Sequence, residues 1–290
     1  MEKQPRSGPI QECLLSGGNC VFNTYMVNAD SEVDFRGIFI FVHGWSEHIL
    51  MYLDLAYFVA SLGYDFFAFD LRESGKTRGP YTDVDCPIRD LDFVIEKSTT
   101  KYKSFNLIGH SMGGAIILDY LCKGKYRDMI DSVILSGPCV KLHDSIQPNP
   151  LKRMFVNIIL YWFPGIRYWE SKSISAYALV TTNEKKQLEM FNDKLCCPNG
   201  PLKIISDMYY RGKRLVETIP DISNKARILI FQSENDSIVD PSAVKSFFND
   251  LSSTTKKIVC IENSGHALFL EKESTVELIN KEIESFLKTQ

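Results

Sequence analysis

Residues 105–114 read Phe105-Asn106-Leu107-Ile108-Gly109-His110-Ser111-Met112-Gly113-Gly114, and the fold of the chain is read outward from this stretch. Phe105 to Ile108 is a short apolar run of the kind that forms a buried strand, and Ala115 to Leu121 continues as a helix. Between them lies Gly-x-Ser-x-Gly with Ser111 at its centre. A serine in a sharp strand-to-helix turn needs strained backbone angles, and side chains two positions either side would collide with neighbouring backbone. Glycine at 109 and 113 removes that collision. The turn lifts the serine oxygen clear of the sheet. It also aims the first free N–H groups of the helix at the place where an oxyanion would form. The pattern therefore predicts a nucleophile elbow, although a glycine-rich turn holding an ordinary serine satisfies the same five residues.

On both sides of this stretch apolar strands alternate with helices. Gly37 to Val42 and Tyr64 to Leu71 precede it as buried strands; Ser132 to Leu135, Ile228 to Phe231 and Lys257 to Ile261 follow. Helices are expected over Met51 to Leu62, from Pro87 to near Lys97, and over Ser242 to Leu251 and Ser274 to Leu287. Glu12 to Leu15 and Val21 to Val27 read as a hairpin. This alternation is the signature of a mostly parallel sheet wrapped by helices, an α/β class fold. It breaks between about Lys141 and Ile222, where aromatic, helical stretches replace strands: Leu151 to Phe163, Glu184 to Phe191 and Pro201 to Arg211. Residues 1–140 and 223–290 are thus expected to form the core, and 141–222 a helical cap inserted over one edge of the sheet.

Composition narrows the function. A chain of 290 residues suits one α/β domain with an insertion, or two small domains. A net charge of -3 gives no reason to expect a nucleic-acid partner. The eight cysteines are scattered apart from Cys196-Cys197 and show no Cys-x-x-Cys spacing, so no metal centre or disulfide framework is expected, and reduced thiols inside a cell are. Residues 1–9 are polar, which predicts disorder and no signal peptide. The longest apolar run, Met154 to Phe163, is broken by Asn157 and is too short to span a bilayer.

A serine at neutral pH needs an adjacent base, and the base needs a carboxylate to fix its tautomer. Both occur in loops after late strands, where open α/β sheets build their sites. Asp236 follows strand 228–231 and His266 follows strand 257–261, giving the order Ser111, Asp236, His266. Asp240 precedes Pro241 and a helix and reads as an N-cap; Glu234, nearer the strand, is the fallback acid. The oxyanion hole is expected from the N–H groups of Met112 and Trp45, the latter in the loop His43-Gly44-Trp45. His43 and His110 are expected to order these loops; with no metal-ligand spacing beside them, a metal role is not expected.

With these motifs in place, the chain resembles the monoglyceride lipase family of α/β hydrolases, most of all its fungal members. The likeness rests on His43-Gly44-Trp45-Ser46-Glu47-His48, Leu62-Gly63-Tyr64, Phe69 to Gly75, Gly109 to Gly114, Ser136-Gly137-Pro138, Tyr210-Arg211-Gly212, Asn235-Asp236 and Gly265-His266. It spans about residues 15–288. The resemblance implies an α/β-hydrolase fold and a serine hydrolase without cofactor that cleaves monoacylglycerols to fatty acid and glycerol. It further implies a lipid-facing cap, association with lipid droplets or endoplasmic reticulum membranes, and Glu47 at the glycerol-binding end of the pocket. Two positions depart from the family pattern. Glu73 stands where the family has glycine, and Met51 stands near an arginine of animal members.

Two other functions use the same residues. The acyl-enzyme could be captured by an alcohol other than water, or the scaffold could serve as a ligand-binding receptor. The run Met154 to Pro164 also has two readings: a helix packed on the core, or an exposed surface that meets a membrane, flanked by Lys152, Arg153 and Arg167.

Overall fold

The structure is a computed structural model that describes residues 8–219, 222, 225–253 and 255–288. The first seven residues, part of the segment expected to be disordered and without a leader, lie outside the described residues. The chain opens with a hairpin, β1 (Gln11–Gly17) and β2 (Cys20–Val27). Pairing runs in register to Gly17 opposite Cys20, and Gly18 and Asn19, with φ of 56° and 57°, make a two-residue turn. Then β3 (Gly37–Val42), α1 (Leu53–Ser61), β4 (Tyr64–Phe69), α2 (Cys86–Ser98), β5 (Phe105–His110), α3 (Met112–Lys123) and β6 (Ile130–Ser136) alternate. The insertion carries α4 (Pro150–Trp162), β7 (Arg167–Trp169), α5 (Ile174–Val180), α6 (Glu184–Asn192), β8 (Asn199–Pro201) and α7 (Leu202–Thr218). β9 (Arg227–Ser233), α8 (Pro241–Asp250), β10 (Lys256–Ile261) and α9 (Glu273–Lys288) complete the core.

The main sheet has eight strands in the order β1-β2-β4-β3-β5-β6-β9-β10. β1, β2 and β4 pair antiparallel and every other neighbour is parallel. The period of two along β3 divides its side chains between two cores. Ile38, Ile40 and Val42 pack with Leu91 and Val94 of α2 and Ile116 of α3. Phe39 and Phe41 pack with Val59 of α1 and Ile279 and Ile283 of α9. Both faces are therefore covered, which is why these strands read as continuous apolar runs rather than alternating ones.

The insertion joins β6 and β9, which are neighbours within the sheet. It rises from the carboxyl end of β6 and roots itself on α3 through Arg211 of α7, which is buried with its Nε 3.1 Å from Asp119 Oδ2. The short pair β7–β8 and helix α5 were not legible: three-residue strands and a seven-residue helix carry too little periodicity. The apolar run of α4 is not core, since none of its side chains is buried. Phe155, Ile158, Tyr161 and Trp162 are exposed, Tyr161 at 78% and Trp162 at 70%. Among the described residues no helix is long and apolar enough to cross a membrane.

Candidate active site

Ser111 stands between β5 and α3 with φ 53° and ψ −117°, a conformation that costs about 1–3 kcal/mol unless its surroundings hold it. They do so through the backbone. Ser111 N–H donates to Ser136 O at the end of β6 (2.9 Å), and Ser111 O accepts from Ala115 N (3.1 Å) and Cys139 N (3.0 Å). A Cβ at position 113 would lie 2.1 Å from Val42 O, and one at 109 would lie 2.6 Å from Ile117 Cδ1. Glycine at both places is a packing requirement of this turn.

The loop after β9 brings Asp236 to His266. Asp236 Oδ2 lies 2.7 Å from His266 Nδ1 and accepts from Gln232 Nε2 at 3.2 Å. Its Oδ1 accepts the N–H groups of Ile238 and Val239, each at 2.9 Å. The carboxylate thus assigns the ring proton to Nδ1 and leaves Nε2 as an acceptor; Nε2 is buried and has no hydrogen-bond partner among the described residues. Burial pushes the His266 pKa down, but the adjacent Asp236 charge and hydrogen bond outweigh it and hold the pKa above the ordinary histidine value. Burial pushes the Asp236 carboxyl up, while His266 and the two backbone donors pull it further down, so it stays below the usual carboxylate range. The other two acids of this loop are occupied. Glu234 pairs with Lys245 at 2.6 Å on the surface. Asp240 caps α8 through the N–H groups of Ser242 and Ala243 and also pairs with Lys141.

The loop after β3 passes directly against the serine: a Cβ at Gly44 would lie 3.1 Å from Ser111 Cβ. Gly44 N–H donates to Glu47 Oε2 (2.7 Å). Among the described residues, neither Trp45 N–H nor Met112 N–H has a backbone acceptor. His43 ties the loop down, with Nδ1 2.8 Å from Gly44 O and Nε2 accepting from Leu71 N–H (2.9 Å). His110 donates to Ser136 O through Nδ1, and its ring lies 4.7 Å from that of His266, tilted by 50°. Burial pushes the His110 pKa down to about 4, so it is neutral at physiological pH.

Glu47 is turned inward. It is 4% exposed, with Oε2 on Gly44 N–H and Oε1 3.5 Å from His110 Nε2. Sequence reasoning missed this anchoring of the loop, although the three-residue spacing from Gly44 was a signal for it. It also missed Glu271. Glu271 Oε1 accepts from Gly265 N–H (2.7 Å) and from Thr182 N–H (2.8 Å), which fixes the His266 loop to the insertion. The 89-residue separation of Thr182 and Glu271 leaves no local trace in the sequence.

The model of the Hydrolase_4 family, described as serine aminopeptidase S33, matches residues 34–273. The chain belongs to this family. Its fold is the α/β-hydrolase fold, a mostly parallel central sheet with flanking helices. The chain is 26% identical over 276 residues to a monoglyceride lipase of Saccharomyces cerevisiae, covering 90% of this chain and 86% of that one. It is 28% identical over 246 residues to the phospholipase YtpA of Bacillus subtilis, covering 81% and 90%. Among solved structures, a soluble variant of the Saccharomyces cerevisiae monoglyceride lipase in complex with a substrate analog superposes with a TM-score of 0.86 at 22% identity. That match covers 99% of this chain and 98% of the other.

Proposed function

We propose that the protein is a serine hydrolase that cleaves monoacylglycerols to fatty acid and glycerol, with Ser111, His266 and Asp236 as its triad. One observation carries the reading: a buried, unpartnered His266 Nε2, backed by Asp236 at 2.7 Å, in a protein whose strained serine turn lies against the Gly44 loop. In this mechanism Ser111 Oγ attacks the ester carbonyl and His266 Nε2 takes its proton. The oxyanion is met by the N–H groups of Trp45 and Met112, since Gly44 N–H is committed to Glu47. His266 returns the proton to the leaving glycerol oxygen, and water repeats the sequence on the acyl-enzyme. The preference for monoacylglycerol rests on the similarity to the yeast lipase. Glu47 contributes to the alcohol end of the site through the loop that it holds.

Residues 141–222 act in this reading as a cap that draws substrate from a lipid surface. The exposed apolar face of α4 supports it, and so does the place of the cap at intracellular membranes or lipid droplets in the family resemblance. The test is a panel of mono-, di- and triacylglycerols and lysophospholipids offered to the parent chain and to Ser111→Ala. Monoacylglycerol should be the preferred substrate, and the variant should lose about a million-fold in kcat. Preference for lysophospholipid would move the substrate class, and labelling of the variant by an active-site phosphonate would remove Ser111. Ile158→Ser with Trp162→Ser should weaken liposome binding and leave hydrolysis of a short soluble ester unchanged. Equal losses on both substrates would refute the membrane role of α4.

A further inference from the structure

We propose that His48, Asp193 and Cys196 form a binding site for a thiophilic divalent cation of the zinc type, one that ties the inserted cap to the loop carrying Trp45. The proposal does not depend on the substrate. His48 comes from the loop after β3, and Asp193 and Cys196 from the segment between α6 and β8, about half the chain away. Their donor atoms nevertheless all lie within 4.8 Å of one another. His48 Nε2 is 2.8 Å from Asp193 Oδ2. Asp193 Oδ1 is held by Leu195 N–H at 2.8 Å, which turns Oδ2 inward, the kind of outer support that metal-binding carboxylates have. The Cys196 thiol also has a soft neighbour, Met51 Sδ at 3.3 Å. His48 and Cys196 are 3% and 0% exposed, and Asp193, half-buried, leaves the way in.

The donor set of one imidazole, one carboxylate and one thiol suits zinc, with the thioether or a water as a fourth group. Zinc holds such donors at about 2.0–2.3 Å, which sets them roughly 3.3–3.6 Å apart, so His48 Nε2 and Asp193 Oδ2 must open by about 0.5 Å from their 2.8 Å contact while the thiol closes by up to about 1 Å. The proton balance is simple. In the free protein Nε2 carries the ring proton and donates it to Asp193 Oδ2; on binding, the ring changes tautomer, its one proton moving to Nδ1, and Nε2 gives its lone pair to the ion. The thiol, kept protonated by burial in the free protein, releases its proton as the ion enters. Lys172 opposes binding, with its charge held by the carbonyls of Met190, Phe191 and Asp193. Cys197 takes no part: its thiol faces Lys194 O.

The test uses the full chain with Zn2+ alone by calorimetry and Cd2+ alone by ultraviolet charge transfer. One ion per chain should bind, with a cadmium–thiolate band and a rise of several degrees in Tm at saturating zinc. Cys196→Ser should abolish the band and weaken zinc at least a hundredfold; Asp193→Asn should weaken it about tenfold or more. Cys197→Ser should change neither. His48→Gln, which keeps the thiol, serves if the serine variant does not fold. No saturable binding to the parent chain, binding that survives Cys196→Ser or His48→Gln, or binding lost in Cys197→Ser would each overturn the site.

Discussion

Replacing Asp236 by Asn removes a charge without removing an atom, and the structure dictates which way the new amide must face. The N–H groups of Ile238 and Val239 both point at Oδ1, each at 2.9 Å. The amide oxygen has to accept them, so the NH2 turns to His266 Nδ1 and to Gln232. Facing a donor, Nδ1 must give up its proton and become the acceptor, and the proton moves to Nε2. In the proposed mechanism that is the nitrogen that takes the proton of Ser111. The protein is thus held in the wrong tautomer, a change expected to lower kcat by about four orders of magnitude. This corresponds to about 5 kcal/mol in the barrier. KM on a soluble ester should change little.

The fold should survive the same change. Gln232 now donates to Asp236 Oδ2, and its own Oε1 is buried without a partner. Rotating its amide would present that oxygen to the new NH2, but it would break the bond from Gln232 Nε2 to Ser233 O at 3.0 Å. The stability loss is therefore expected within the about 1–3 kcal/mol typical of a disrupted buried polar contact. Because the Asp236 carboxyl is held below its ordinary pKa, its contribution exists above the unfolded carboxylate pKa and fades as pH falls through the folded one. The stability gap between parent and variant should close in acid. Stopped-flow or steady-state kcat on a soluble ester and 15N shifts of the His266 ring are the measurements. A variant within tenfold of the parent in kcat, or one whose ring proton remains on Nδ1, would refute the reasoning.

Three further outcomes are expected. With His266 held above the ordinary histidine pKa by Asp236, and needed neutral as base, the acid limb of kcat/KM should lie on the alkaline side of an ordinary histidine; a limb below it would mean that another group limits the rate. Glu47→Gln keeps an acceptor for Gly44 N–H but deletes one of the three titratable neighbours of His266 (Asp236, His110 and Glu47), so the limb should move to lower pH while the alkaline plateau stays within about tenfold. An unmoved limb would reduce Glu47 to a mechanical support. Glu73→Gly should shift Tm by no more than about 3 °C: it relieves a residue held at φ 64° and loses a partly exposed pair with Arg167 of the insertion, at 3.0 Å. A drop beyond about 6 °C would show that this pair fastens the cap.

How much of this was legible depends on the distance over which a residue's environment is fixed. The serine turn could be read because its constraint is local: strand, glycine, serine, glycine and helix occupy ten residues, and the colliding atoms come from the neighbouring strand and the first turns of the helix itself. The alternation of strands was readable because burial on both faces demands continuous apolar runs. Asp236 was harder, since Glu234, Asp236 and Asp240 share one loop and differ only in what each has already bonded. Contacts across the insertion could not be read at all. His48 meets Asp193 at a separation of 145 residues, and Thr182 meets Glu271 at 89. Those partners are set by how the cap seats on the loops.

The apolar run of α4 shows the deeper limit. Periodicity reports that Phe155, Ile158 and Trp162 share a face, but a face turned to a core and a face turned to a lipid surface demand the same residues. What separates them is the support beneath. α7 is amphipathic and sends Arg211 into a buried ion pair with Asp119 of α3, so it must lie on the core. α4 offers no such polar anchor to the core. Its polar contacts go to α7 instead, Arg153 to the Tyr209 hydroxyl and Asn157 to that of Tyr210. α7 is thus sandwiched, and α4 is left as the outer layer with its apolar side unpartnered. An outer layer of that composition is costly in water and favourable at an apolar boundary, which is the energetic basis of the proposed docking of α4 on a lipid surface.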